Sequence, residues 1–212
     1  MKTKLLLILY CCTASNCFAQ KALQLFDGKS FNGLEGDTIK TWRIADGTLI
    51  GGSLHTTVQH NEFISTTDTF SNFSLTLQFK LTGIDGFINS GVQFHSNRID
   101  NPSYEMIGYQ ADLGDAFWGC LYDESRRRKV LMKADTALIE KILRRNQWND
   151  YKVRSYNGHI QIWLNGHKTV DYEEPDTSIS QSGKIAFQIH GGGKAEVHFK
   201  NIVLRKIPSG IK

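Results

Sequence analysis

From Leu25 onward the chain alternates apolar and polar residues in short runs, and the runs are broken by Asp-Gly and Asn-Gly pairs. A period of two places every second side chain on one face of a strand, while Asp-Gly and Asn-Gly supply the positive φ angles of tight hairpin turns. Trp42 to Gly51 (WRIADGTLIG) therefore predicts a hairpin turning at Asp46 and Gly47. Phe73, Leu75, Leu77, Phe79 and Leu81 share one face of a half-buried strand, with Ser74, Thr76, Gln78 and Lys80 on the other. Tyr151 to Tyr172 predicts a meander turning at Asn157-Gly158 and Asn165-Gly166, and two more strands follow at Lys184 to His190 and Glu196 to Ile207. Helical spacing occurs once: Asp135 is placed to cap Thr136 to Arg145, with Leu138, Ile139, Ile142 and Leu143 in one stripe and Arg144 and Arg145 at the C-terminal dipole. A parallel sheet needs helices between its strands, so the pattern predicts an all-β sandwich of antiparallel sheets with one short helix. Without an internal repeat or a linker-like stretch, residues 20–212 are expected to form a single domain.

The N-terminus has a different order. Lys2 and Lys4 precede an apolar run from Leu5 to Tyr10, and small and polar residues lead to Ala19. That order predicts a signal peptide over residues 1–19 and export to the periplasm or cell surface. Acylation at Cys11, Cys12 or Cys17 is the competing, lipoprotein fate. The run is too short to span a bilayer, and no later segment is long and apolar enough. Removing the signal leaves 23 of the 25 basic residues against 21 acidic ones, a formal charge of +2 in place of +4. A nucleic-acid partner would require a strongly basic, clustered surface, and the only dense basic run is Arg126 to Lys129. Cys120 is the one cysteine after the signal, so a core and not disulfides must hold the fold.

Polar and aromatic residues crowd the middle of the chain, in Ile88 to Arg98 (INSGVQFHSNR) and Gly108 to Leu131. Strand parity puts Gln93 with His95, opposite Val92 and Phe94. It also puts Tyr104, Met106, Gly108, Gln110 and Asp112 together, opposite Glu105, Ile107, Tyr109 and Ala111. Acid, amide and aromatic groups on one sheet face suit a carbohydrate, whose hydroxyls take planar hydrogen-bonding groups and whose apolar ring face stacks on an aromatic. A merely solvated face is the plain alternative. His190 precedes Gly191, Gly192 and Gly193, where the lack of side chains opens the backbone to a ligand.

The landmarks LFDGKSFNGL at Leu25 to Leu34, the Trp42 hairpin, INSGVQF, GYQADLG with WGCLYDESRR, QWNDYKV, IWLNG, FQIHGGG and VHFKNI run nearly end to end. Together they resemble the family of 3-keto-glucoside 1,2-lyases and 3-keto-2-hydroxy-glucal hydratases, also called 3-keto-disaccharide hydrolases. The resemblance implies a concanavalin-A-like jelly roll and an enzyme acting on a sugar oxidised at its third carbon. One departure stands out: His95 occupies a position where related sequences commonly carry Arg, so a permanent positive charge is lacking there.

The implied chemistry is elimination. A ketone acidifies the hydrogen on the neighbouring carbon; a base removes it and the enolate expels the aglycone, and water added across the new double bond completes a net hydrolysis. Such a site needs a base, a group for the enolate oxygen, and an acid or metal for the leaving group. Glu105 and Asp112 are the first candidates for the base, Glu105 being weakened by its parity, with Asp123 and Glu124 behind them. His95 and His190 are candidates for the acid or for metal ligands. Arg126 and Arg127 could hold the enolate oxygen, whereas Arg128 and Lys129 read equally well as a solvated loop. Trp118 and Tyr122 are the expected stacking residues, with Gln93, Gln110 and Gln188 as further substrate contacts; Trp42, Trp148 and Trp163 are expected in the core. A divalent metal is left open, since no closed zinc spacing is present. No dinucleotide-binding glycine motif occurs, so a separate sugar dehydrogenase would have to supply the ketone. The alternative reading is a non-catalytic carbohydrate-binding module of the same fold.

Overall fold

The computed structural model describes residues 22–210; the expected signal peptide and the cysteines considered for acylation lie outside the described residues. Two antiparallel sheets face each other as a jelly-roll sandwich. One sheet runs in the order β13 (His167–Glu173), β12 (His159–Leu164), β11 (Asn149–Tyr156), β6 (Phe73–Gly86), β15 (Gly193–Lys206), β4 (Thr48–Gly52) and β3 (Trp42–Ala45), with β1 (Leu23–Gln24) also paired to β15. The other runs β10 (Lys129–Met132), β9 (Leu121–Glu124), β8 (Met106–Gly114), β7 (Asn89–Arg98), β14 (Lys184–Ile189), β5 (Glu62–Thr66) and β2 (Leu34–Glu35). No helix among the described residues is long and apolar enough to cross a membrane.

The alternation read from the sequence sets the faces. Phe73, Leu75, Leu77, Phe79 and Leu81 of β6 point into the sandwich, as do Val92, Phe94, Tyr109, Ala111, Leu113, Phe187 and Ile189 from the opposite sheet. Phe187 and Phe199 meet across the middle with ring centroids 4.9 Å apart. The turns fall where the Gly pairs stand. Asp46 and Gly47 (φ 50° and 71°), Asn157 and Gly158 (49° and 85°), and Asn165 and Gly166 (48° and 83°) all occupy the left-handed region that primed turns require.

Four expectations need correction. The helix α1 covers only Thr136–Ile142; Asp135 caps it through Ala137, but Leu143 is already extended (ψ 129°), so Arg144 and Arg145 lie beyond its end. The Asn149 side chain holds that exit by accepting from Arg144 N–H at 2.9 Å and donating to the Arg144 carbonyl at 2.8 Å. Trp42 is in the core, but Trp148 and Trp163 are not: both lie half-buried on the outer face of the larger sheet. Finally, β7 carries a bulge after Phe94, where His95 takes φ 49° and the register with β8 shifts. The bulge breaks simple parity, so His95 does not continue the face of Gln93.

Candidate active site

The site lies on the outer face of the smaller sheet, where four neighbouring strands present polar side chains in register. Gly91 pairs with Asp112 and Gln93 with Gln110 between β7 and β8; Gln110 pairs with Tyr122 and Gly108 with Glu124 between β8 and β9; and Gln188 of β14 pairs with Gly91. Gly91 is required for close approach, since a Cβ there would lie 2.4 Å from Cδ of Gln110. Gln110 therefore crosses the space above Gly91 and donates through Nε2 to Asp112 Oδ1 at 2.8 Å and to Gln188 Oε1 at 3.0 Å. Its own Oε1 is buried with no hydrogen-bond partner among the described residues, an unmet acceptor at the base of the site.

Beside this network is a pocket lined by Phe87, Asn89, Gln110, Asp112, Phe117, Tyr122, Glu124 and His190. It brings together five of the residues singled out from the sequence: Gln110, Asp112, Tyr122, Glu124 and His190. Asp112 is buried, and burial pushes its carboxyl well above the usual range, reinforced by the charge of Glu124 and opposed by the Gln110 hydrogen bond. Burial also raises Glu124, helped by the charge of Glu105, to about 7. His190 Nδ1 lies 2.7 Å from the Gly191 carbonyl, which can only accept. In the neutral ring that contact assigns the proton to Nδ1 and leaves Nε2 with a free lone pair. The pocket thus combines a buried carboxyl whose ionisation is disfavoured, a carboxyl balanced between its two forms, and an imidazole whose Nε2 is free to accept. Together these groups can remove one proton and supply another.

Phe87, Phe117 and Tyr122 form the aromatic wall, with Phe117 edge-on to both Tyr122 (6.3 Å) and Phe87 (6.4 Å), and Phe87 edge-on to His190 (4.7 Å). Phe87, Asn89 and Phe117 were not expected from the sequence. Asn89 shares the parity of Gly91 and Gln93 and could have been found from it; the two phenylalanines sit on turns, where parity gives no guide.

Other candidates stand elsewhere. Trp118 packs on Phe79 (6.2 Å), donates to Asp115 at 3.1 Å and lines a different hollow with Arg145. Glu105 accepts from the Met106 N–H at 3.0 Å and reaches the pocket only through its charge on Glu124. Gln93 is buried beneath the face, bonded to Ser96 at 2.8 Å. Gln188 likewise stays beneath the pocket, accepting from Gln110, with its own Nε2 buried and without a partner among the described residues.

Asp123, Arg126 and Arg127 belong to a separate network at the edge of the sandwich. Asp123 points inward by parity and accepts from Arg126 Nε at 2.9 Å and from Arg127; Arg127 continues to Glu174 at 3.0 and 2.7 Å, and Tyr109 donates to Glu174 at 2.7 Å. The two guanidinium groups are thereby turned away from the pocket. Arg128 (φ 50°) and Lys129 are exposed. His95 joins this side, edge-on to Tyr109 and bonded through Nε2 to the Ser71 carbonyl at 2.9 Å, and burial lowers its pKa to about 4. Among the described residues no three His, Cys, Asp or Glu side chains are grouped to hold a metal ion.

Comparison with known proteins places this geometry in context. A family model described as a 3-keto-alpha-glucoside-1,2-lyase-like domain matches residues 21–205. No curated protein matches. Among solved structures, a Parabacteroides distasonis protein provisionally described as a glycosyl hydrolase is similar over 88% of this chain and 94% of its own, with a TM-score of 0.64 and 22% identity. The carbohydrate-binding module CBM66 of Bacillus subtilis is similar over 82% and 96% (TM-score 0.64, 15% identity). A β-glucanase of Bacillus licheniformis is similar over 89% and 98% (TM-score 0.55, 9% identity). At these identities the structural likenesses establish the jelly-roll fold.

Proposed function

The chain belongs to the 3-keto-alpha-glucoside-1,2-lyase-like family and has a carbohydrate-related function; from that premise we propose that it is an exported enzyme that eliminates the aglycone from 3-keto-glycosides. The observation that carries this reading is the pocket in which Asp112, Glu124 and His190 meet between aromatic walls. The carbon next to a ketone can be deprotonated by a base of ordinary strength, and Glu124, held at about 7, is ionised to a useful fraction near neutrality. Its carboxylate takes the hydrogen from the carbon between the ketone and the anomeric centre. The electron pair forms the enolate, then the new double bond, as the anomeric carbon–oxygen bond breaks. Asp112, which burial biases toward its protonated form and Gln110 fixes in place, would in that form donate a hydrogen bond to the developing enolate oxygen. The proton gained by Glu124 passes to the departing oxygen, and the Nε2 lone pair of His190 is placed to accept a proton from the incoming water. Phe87, Phe117 and Tyr122 provide apolar surface for the sugar ring.

The ketone itself must come from a separate oxidoreductase that oxidises the third carbon of the sugar. The likeness to CBM66 supports a second reading, a non-catalytic carbohydrate-binding module. The two readings separate when the chain is given a 3-keto-glucoside bearing a chromophoric aglycone, with and without a chelator. Aglycone release together with absorbance of an unsaturated keto-sugar supports the lyase, and its loss under chelator assigns a metal to the reaction. In Asp112→Asn, turnover is expected to vanish while the fold is retained. No release, with the keto-glucal also left unhydrated and unoxidised glycans bound saturably, would favour the binding module.

A further inference from the structure

The outer face of the larger sheet, on the side of the molecule away from the pocket, has a composition that neither the core nor the pocket requires. Trp163 on β12, Lys152 on β11 and Thr76 on β6 lie in one cross-strand row, and the next rows bring in Arg205 and Lys200 from β15. Trp148, one residue before β11, lies under two ammonium groups: Lys200 Nζ is 4.0 Å and Lys80 Nζ 5.6 Å from its ring centroid. Lys152 Nζ lies 4.4 Å from the Trp163 ring. Both indoles are half-exposed, and by strand geometry they stand roughly 14 Å apart along the sheet, enough to meet separate rings of an extended chain.

The charges on this face do not cancel. Glu196 is paired with Arg43 and Asp171 with Lys168 and His159, while Asp150 accepts from the neutral Gln78 amide at 2.9 Å and has no basic partner among the described residues, so four cations stand against it. Among the described residues no ion pair involves Lys80, Lys152, Lys200 or Arg205. A cation above an indole keeps its full charge while its stem covers part of the ring, so each Trp-Lys unit sets a positive group beside the part of the indole that stays exposed. A pyranose that carries an acidic substituent presents the complementary pair, an apolar ring face next to an anion.

We propose that this face is a binding surface for an acidic polysaccharide, one that holds the protein on a polyanionic glycan while the pocket on the opposite sheet stays open. The inference is independent of the chemistry assigned to the pocket. The probe is chondroitin sulfate, which carries both sulfate and carboxylate groups, set in a native gel beside neutral dextran. Chondroitin sulfate is expected to retard the protein and dextran to leave it unretarded, with retardation fading as salt screens the contacts. The triple variant Lys80→Gln/Lys152→Gln/Lys200→Gln should bind at least about tenfold more weakly while still unfolding in one cooperative transition. Trp163→Ala should weaken binding with less change in salt dependence, and Asp112→Asn should bind like the unaltered chain. No retardation of the unaltered chain overturns the proposal, as does equal retardation of the lysine triple variant. Sedimentation with phosphatidylglycerol vesicles in the absence of any response to chondroitin sulfate would also overturn it, in favour of a lipid surface.

Discussion

Glu124 is where protonation and function meet. Its folded pKa of about 7 lies above the ordinary carboxyl range. A base in that position is active when ionised, so kcat/KM should rise through about pH 7 on the acid side of its profile. Glu124→Gln should lower turnover by at least about a hundredfold and remove that limb, as a pH–rate series would show. Stability should move the other way. A carboxyl whose folded pKa is raised favours the folded state fully below its unfolded pKa, and that contribution is lost as pH rises toward about 7. Glu124→Gln should therefore melt higher than the unaltered chain at pH 8 and show little difference at pH 4, a comparison that calorimetry can make. Glu174 has the opposite sign. Burial opposes its ionisation, but Arg127 and Tyr109 outweigh burial and hold it at about 2, so its contribution is present above the unfolded pKa and fades as pH falls toward that value. Glu174→Gln should cost on the order of 2–4 kcal/mol at pH 7, because it leaves Arg127 short of a partner, and should flatten acid unfolding between about pH 4.5 and 2.

At the scale of elements, the pocket depends on one glycine as much as on any acid. Gly91→Ala would drive a methyl group into Gln110, displacing the amide that fixes both Asp112 and Gln188. The expected cost is about 1–3 kcal/mol in stability with a larger loss of turnover. The double variant Gly91→Ala/Gln110→Ala should recover most of the stability and none of the activity, which denaturant melts and kinetics on the same samples would reveal. This dependence also shows what strand parity could and could not disclose. Parity was sufficient for Gln110 and Asp112 because β8 is regular from Met106 to Asp112, and for Phe73 to Leu81 for the same reason. It failed at His95, where the bulge turns the chain, and it could not show that Asp123, which parity does turn inward, is met there by Arg126 and Arg127. Burial of a charge pair is a tertiary event with no local signature, and a basic run reads the same whether it faces solvent or a carboxylate. Trp148 and Trp163 were misplaced for a related reason: an indole on a strand looks like core until lysines on neighbouring strands are found covering it.

For the molecule as a whole, the two sheets depend on one aromatic contact layer and on one late strand. Phe199→Ala would open a cavity against Phe187 at the centre of the sandwich and should cost about 3–5 kcal/mol, measurable as a lower urea midpoint with little change in slope. Phe199 belongs to β15, a 14-residue strand that pairs with β6 on one side and with β4 and β1 on the other. A polypeptide leaves the ribosome, and threads through any pore, N-terminus first. The strand that joins β6 to β4 in the larger sheet is thus the last of the described strands to arrive, and those two must wait with their facing edges open until it does. Closure of this sandwich therefore waits on residues 193–206: a chain interrupted before them cannot join the two parts of the larger sheet or bury its aromatic layer, and is left recognisably unfinished to whatever machinery clears incomplete proteins.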